Sequence, residues 1–162
     1  MARGVAPKGE ILGYGRTCDA HHITAPAPGG AGAVACMQLA LEDAGLSPAD
    51  VGHVNAHGTS TPLNDAAEAA AIAKVFGDAT PVTSTKGVTG HLVGAAGAVE
   101  CIAALLAASD RRVPPTANHT RTDADITVDV VSGEPRAITS DIALSNSFGF
   151  GGHNATLLVK AC

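Results

Sequence analysis

Between Gly90 and Asp110 the sequence runs GHLVGAAGAVECIAALLAASD, in which Glu100 is the one charge before the final Asp110. Such a run reads as a long helix that is apolar on most of its faces. A helix of that kind is buried between layers. Its interior glycines cost helix stability and must be compensated by close packing. The rest of the chain has to supply those layers.

The flanking pattern alternates strand and helix. EILGYGRTCDAHH reads as a strand and its exit, followed by a Pro/Gly-rich loop from Ile23 to Gly30. Ala31 to Gly45 reads as a helix with Val34, Met37, Leu41 and Gln38 on its periodic face and Gly45 as the stop. Ser47 caps a short turn that opens on Pro48. VGHVNAHG is a buried strand. The alanine-rich stretch TSTPLNDAAEAAAIAKVFG is a helix capped at Asn64 or Asp65, with Asp65 and Glu68 at capping-box spacing and Gly77 at its end. PVTSTKG is a short strand. VPPT, ITVDVV, ITSDIALSNSFGFGG and NATLLVKAC read as strands and turns. The order β-α-β-α-β-α-β-β-β-β predicts a layered α/β domain with a mixed sheet and a hairpin-like end. The 162 residues suffice for one domain, and 46% hydrophobic residues with 15% charged ones mark a folded chain.

Several classes of function are disfavoured. The net charge is −5 and no basic run is interleaved with aromatics, so nucleic-acid binding is not expected. Arg111 and Arg112, with Arg121 and Arg136, could still form a local basic patch. Cys18, Cys36, Cys101 and Cys162 contain no Cys-x-x-Cys pair and no secretory leader precedes them, so the expected setting is reduced and cytoplasmic. The apolar stretches read as too short or too interrupted to span a bilayer. His53 and His57 lie four apart on a strand without the acidic residue of a zinc-protease motif, and no metal is expected.

Three segments carry chemistry. In VNAHGTSTPLND, strand alternation places His53, Asn55 and His57 on one face, and the polar exit of an apolar strand is where an α/β protein tends to put function. A structural, hydrogen-bonded His57 is the plainer reading of that residue alone. In STKGVTGHLVGAAGAVE, His91 is expected at the start of the long helix with Thr89 as its cap, where the positive helix end favours neutral imidazole. Lys86 adds positive potential nearby, and Lys86 and Glu100 could equally pair for structure alone. In NSFGFGGHN, Gly149, Gly151 and Gly152 bracket Phe150. Such a loop brings backbone N–H groups close to a substrate, as half of an oxyanion hole requires. No Lys-Ser/Thr follows, so it is not a phosphate loop.

Taken together and in this order, the strings NAHGTSTPLND, STKGVTGHLVGAAGAVE and NSFGFGGHN resemble the β-ketoacyl-acyl-carrier-protein synthases, thiolase-like condensing enzymes of fatty-acid and polyketide assembly. The resemblance runs from GYGRTCDAHHITAP to the final strand and is to the elongating, two-histidine type. It implies one domain over residues 1–162, the C-terminal half of a layered α-β-α-β-α fold, in an acyltransferase that lengthens an acyl thioester with malonyl-acyl-carrier-protein. By position it implies catalytic roles for His57 and His91, with Lys86 supporting the second histidine and Glu100 in the polar network around it. Phe150, with Gly149 and Gly151, matches the gating and oxyanion loop, and Thr59 and Thr61 match threonines that contact the phosphopantetheine arm. His153 stands where many members have threonine and is given no chemistry. The implied partners are acyl carrier protein, the N-terminal half and a second copy of the complete enzyme. No cofactor is implied in this chain beyond substrates carried on the phosphopantetheine arm.

The family's nucleophilic cysteine belongs to the N-terminal half. Cys18 sits in a strand, Cys36 and Cys101 read as core residues of apolar helices, and Cys162 is peripheral. The chain alone is therefore expected to be incomplete and inactive, with a broad apolar face where its other half packs. The alternatives are a non-catalytic fragment or partner subunit, including a chain-length-factor-like subunit, and a thiolase-type degradative enzyme. Retention of His57, Lys86 and His91 argues against a chain-length factor, and the Phe150 loop argues against a thiolase.

Overall fold

The computed structural model describes residues 3–162, so the expected domain is described except for its first two residues. Its strands are β1 (Gly9–Cys18), β2 (His53–Asn55), β3 (Pro81–Thr83), β4 (Arg112–Val113), β5 (Asp129–Val130), β6 (Arg136–Ala137), β7 (Ile142–Gly149) and β8 (His153–Ala161). The helices are α1 (Ala31–Ala44), α2 (Pro62–Phe76), α3 (Lys86–Thr89) and α4 (Ala96–Asp110). Six strands form one sheet in the order β1-β8-β7-β2-β3-β5. β1, β8 and β7 pair antiparallel, whereas β7, β2, β3 and β5 run parallel. The sheet is mixed as expected, and β4 and β6 form a separate two-stranded ladder that the sequence pattern did not reveal.

Alternation along the strands sorts the two faces. Val54, Leu144 and Leu158 turn toward α1 and α2 and join Met37, Leu41 and Ile72 in the main core. The intervening Ala143 and Val159 turn toward Ala104 and Ala108 of α4. Small residues set the spacing: a Cβ on Gly15 of β1 would come within 2.0 Å of the Cys36 carbonyl of α1. Gly45 ends α1 in the left-handed conformation, its N–H bonding back to Leu41 and Glu42. Gln38 is exposed and does not belong to the buried face. β1 lies at one edge of the sheet, and its Tyr14 N–H donates to the Asp43 carboxylate of α1 at 2.9 Å.

Two helix boundaries and the burial of α4 differ from the expectation. The alanine-rich helix starts at Pro62 with Thr61 before it, so Asn64 and Asp65 lie inside its first turn and do not cap it. The glycine-rich run is interrupted: α3 stops at Gly90, a 3-10 turn covers Val93–Ala95, and α4 begins only at Ala96. α4 is also not enclosed on all sides. It packs on β7 and β8, but Val99, Ile102 and Leu106 stay exposed, and Val88 and Val93 extend this apolar surface. By length and composition the helical stretch Val93–Asp110 would pass for a membrane span, contrary to the sequence expectation. Arg111 and Arg136 pair with Asp141 and Asp129, so they leave no continuous basic patch.

His53, on the α4 side of β2, is wholly buried, and among the described residues neither ring nitrogen has a hydrogen-bond partner. Burial penalises the imidazolium and lowers its pKa from 6.5 to about 4. Between those two values the unfolded chain binds the extra proton, so folded stability falls as pH falls through the window. One such group contributes roughly 1.4 kcal/mol per pH unit there. Urea midpoints are expected to drop between pH 6.5 and 4, and His53→Leu is expected to make that drop shallower, with the part due to His57 remaining. An unchanged pH profile in the variant would count against this origin.

Candidate functional site

The site is built where β2 and β3 leave the sheet. β2 ends at Asn55, and Asn55 then turns its side-chain amide toward the Glu100 carbonyl of α4. His57 lies in the turn beyond the strand, and its ring meets Lys86 on the same α4 side that Asn55 faces. Gly58 takes a positive φ of 42°, and a Cβ there would come within 2.7 Å of the Ser84 side chain. The turn is thus pressed against the exit of β3.

Glu68 of α2 fixes this turn from below. Its buried carboxylate accepts the His57 N–H at Oε1 and the Gly58 N–H at Oε2, each at 2.8 Å. It also accepts from the side-chain amides of Asn64 and Asn146. Burial pushes the Glu68 pKa up, and these four donors offset only part of that rise. The Thr156 hydroxyl donates to Asn146 at 2.8 Å and orients that amide.

Lys86 opens α3 and is buried. Its Nζ forms an ion pair with the buried Glu100 carboxylate and lies 3.3 Å from His57 Nδ1. The resemblance links this lysine to the second histidine, whereas its contact here is with the first. An ammonium can only donate, so His57 Nδ1 accepts and its proton resides on Nε2. Burial, then the charge of Lys86, then His91 lower the His57 pKa from 6.5 to about 3. The ring is neutral at physiological pH.

His91 reaches the same place by another route. It lies in the loop between α3 and the 3-10 turn that leads into α4, not on the long helix itself, and Thr89 closes α3. Its Nδ1 accepts the Val93 N–H at 3.1 Å, which again leaves Nε2–H as the donor. The two imidazoles meet edge to face, with centroids 5.3 Å apart and planes at 83°. Phe148 packs against His57 at 5.8 Å. Two neutral imidazole N–H donors side by side suit negative charge developing on one oxygen.

His57 and His91 line a cavity of about 880 Å³ together with Thr59, Thr61, Phe148 and Phe150. The hydroxyls of Thr59 and Thr61 are 2.9 Å apart. Phe150 is 79% exposed at the cavity edge, with Gly149 beside it. Gly151 holds the loop by donating its N–H to the Ile23 carbonyl at 2.8 Å. A second cavity, of about 560 Å³, shares His91, Thr59 and Glu68 as walls. Cys36 is buried, Cys101 is half-buried, and Cys18 and Cys162 are exposed; none lines either cavity. Among the described residues no three His, Cys, Asp or Glu side chains gather as a metal site.

The structure thus brings His57, His91, Lys86, Glu100, Thr59, Thr61 and the Phe150 loop to one end of the fold. The sequence reading missed Glu68 as more than a cap residue, and it missed Asn146 and Phe148. The usable signals were Glu68 as the lone acid within an alanine run and Asn146 as an amide within a buried strand.

A family profile described as "Beta-ketoacyl synthase, C-terminal domain" matches residues 8–120. The chain is 50% identical to 3-oxoacyl-[acyl-carrier-protein] synthase 2 of Synechocystis sp. over 99% of its own length and 39% of that relative's. It superposes with TM-score 0.94 on the crystal structure of a β-ketoacyl synthase from Burkholderia phymatum, at 40% identity and covering 99% of this chain and 39% of that one. It superposes with TM-score 0.93 on the ishigamide ketosynthase/chain length factor, at 41% identity, covering 99% of this chain and 40% of that one. The chain therefore spans about 39% of the length of the curated relative. The fold is the layered, thiolase-like one of the C-terminal half of such proteins.

Lys86→Met leaves the Glu100 carboxylate buried without its cation and is expected to destabilise the fold by roughly 3–5 kcal/mol. Lys86→Met combined with Glu100→Leu is expected to recover most of that loss. Urea denaturation of the two variants checks this, and equal destabilisation in both would show that the ion pair is not the cause.

Proposed function

The chain belongs to the β-ketoacyl synthase family, as its C-terminal domain, and from that premise we propose that it supplies the two-histidine half of a decarboxylative condensing site. The observation that carries this reading is the edge-to-face contact of the two imidazoles, with Nδ1 of each turned to a nitrogen donor and Nε2 thereby left for a substrate oxygen.

In the proposed reaction an acyl group sits as a thioester on a cysteine of the N-terminal half. Malonyl-acyl-carrier-protein enters on its phosphopantetheine arm, past Thr59 and Thr61. The bond between the malonyl α-carbon and its carboxylate breaks, CO₂ leaves, and the electron pair moves into an enolate. The Nε2–H groups of His57 and His91 stabilise the enolate oxygen. The α-carbon then attacks the acyl carbonyl, whose oxygen takes charge toward the Phe150 backbone N–H. Collapse expels the cysteine thiolate and leaves a β-ketoacyl thioester on the carrier protein. Burial, and then Lys86 with Glu100 behind it, keep His57 neutral, and Lys86 holds it in the donor tautomer. Gly149 and Gly151 give the Phe150 loop its shape. No metal or other cofactor enters this scheme.

The partners in this reading are acyl carrier protein, the cysteine-bearing N-terminal half and a second copy of the complete enzyme, in a cytoplasmic setting. The exposed apolar side of α4, continuous with Val93 beside the site, is the surface for the N-terminal half. A second reading, a non-catalytic chain-length-factor-like subunit, draws on the likeness to a ketosynthase/chain length factor pair. The intact His57–Lys86–Glu100 arrangement favours the catalytic reading, since a subunit without chemistry has no use for a tautomer held at this cost.

The test is malonyl-carrier-protein decarboxylation by the chain assembled with its cysteine-bearing half. His57→Ala and His91→Ala are each expected to slow it about 100-fold or more. Normal rates in both variants would favour the non-catalytic subunit. Native mass spectrometry of the assembly reports whether the companion is bound in each variant.

A further inference from the structure

The smaller cavity, about 560 Å³, borders the condensing site at Thr59, Lys86 and His91, but the condensation scheme places no substrate in its remainder. It lies between α2, β3, β5 and the segment from Thr116 to Asp123. Its size is that of a small-ligand site. Its floor is apolar, formed by Ile72, Val82, Val128 and Val130, and its rim carries His119, Arg121 and Thr122. The rim is held in place: Asn118 donates its amide to the Gly87 carbonyl at 3.0 Å, and His119 Nε2 lies 3.0 Å from the Thr122 hydroxyl.

Charge decides what such a space takes. Arg111 and Arg136 are paired with carboxylates, but among the described residues Arg121 forms no ion pair. Of the acids lining the cavity, Glu68 is occupied by four donors and Asp65 accepts from Asn64, while Asp123 stays at the exposed rim. A guanidinium without a partner at the mouth of an apolar pocket is complementary to a carboxylate with an aliphatic tail. We infer that this cavity binds a medium-chain aliphatic carboxylate, with its tail on Ile72, Val82 and Val128 and its head on Arg121. His91, Thr59 and Glu68 also line the larger cavity, so occupancy reaches the walls of the histidine site. The inference does not depend on condensation chemistry.

Octanoate is the probe, with octanol and octylamine as controls of equal tail length. The readout is amide and histidine NMR shifts of the purified chain during titration. Saturable octanoate shifts are expected at Thr116–Asp123 and His91, with weaker binding of octanol and octylamine. Arg121→Glu, an exposed change that leaves the core intact, is expected to weaken octanoate about fivefold and leave octanol unchanged. Equal octanoate affinity in that variant would overturn the inference. So would absence of saturation, shifts confined to the α4 surface, or loss of the octanoate shifts when the N-terminal half is added. Decarboxylation rates play no part in this titration, so its failure and that of the condensing role are separable.

Discussion

The ammonium group of Lys86 is buried between the Glu100 carboxylate and His57 Nδ1. Three elements must be placed correctly for that contact to exist: the turn after β2, the single turn of α3, and the second turn of α4. Desolvating a charge pair is unfavourable, and the return comes only when the geometry is satisfied. The ion pair therefore acts less as a source of stability than as a registration device. It explains why an otherwise apolar helix carries one internal charge, and why that charge faces the sheet. It also adds to what burial does to His57: burial first, and then the neighbouring cation, disfavour the charged imidazole.

Glu68 performs the complementary task on the backbone. By accepting two consecutive N–H groups it fixes the path of the chain through His57 and Gly58, and Asn146 and Thr156 carry that restraint to β7 and β8. The histidine is thus held by its main chain from one side of the sheet and by its ring from the other. Such redundancy is what positions a reacting group to within a few tenths of an ångström. Among the described residues His91 has no comparable scaffold; its orientation rests on the backbone hydrogen bond from Val93 within its own loop and on the edge-to-face contact with His57.

Much of this was legible in the sequence where signals are local. The α1 stop at Gly45, the alternation in β7 and β8 and the motif residues His57, Lys86, His91 and Glu100 follow from short patterns. The start of α4 did not, because GHLVGAAG has helix-compatible composition throughout, and the break at Gly90 is set by a positive φ of 66° that composition does not encode. The role of Glu68 was hidden for a different reason. A capping-box spacing suggested a local partner, but the carboxylate is claimed by amides from β2's exit and β7, contacts 10 to 78 residues away. The distinction between Phe148 and Phe150 was equally out of reach. Both flank Gly149, and only the fold turns the first toward His57 and leaves the second at the cavity edge.

The hydrogen bond from the Tyr14 amide to Asp43 has a consequence for handling as well as for folding. β1 is a ten-residue strand at the rim of the sheet, long enough to template pairing with another molecule. A carboxylate already seated on its outward amide removes one docking point and places a negative charge along the approach. At the opposite rim β5 offers only two residues. Cross-β growth is therefore opposed at both margins, and self-association of this polypeptide in isolation is expected to run through the exposed apolar face of α4, as salt-strengthened clumping rather than fibre formation.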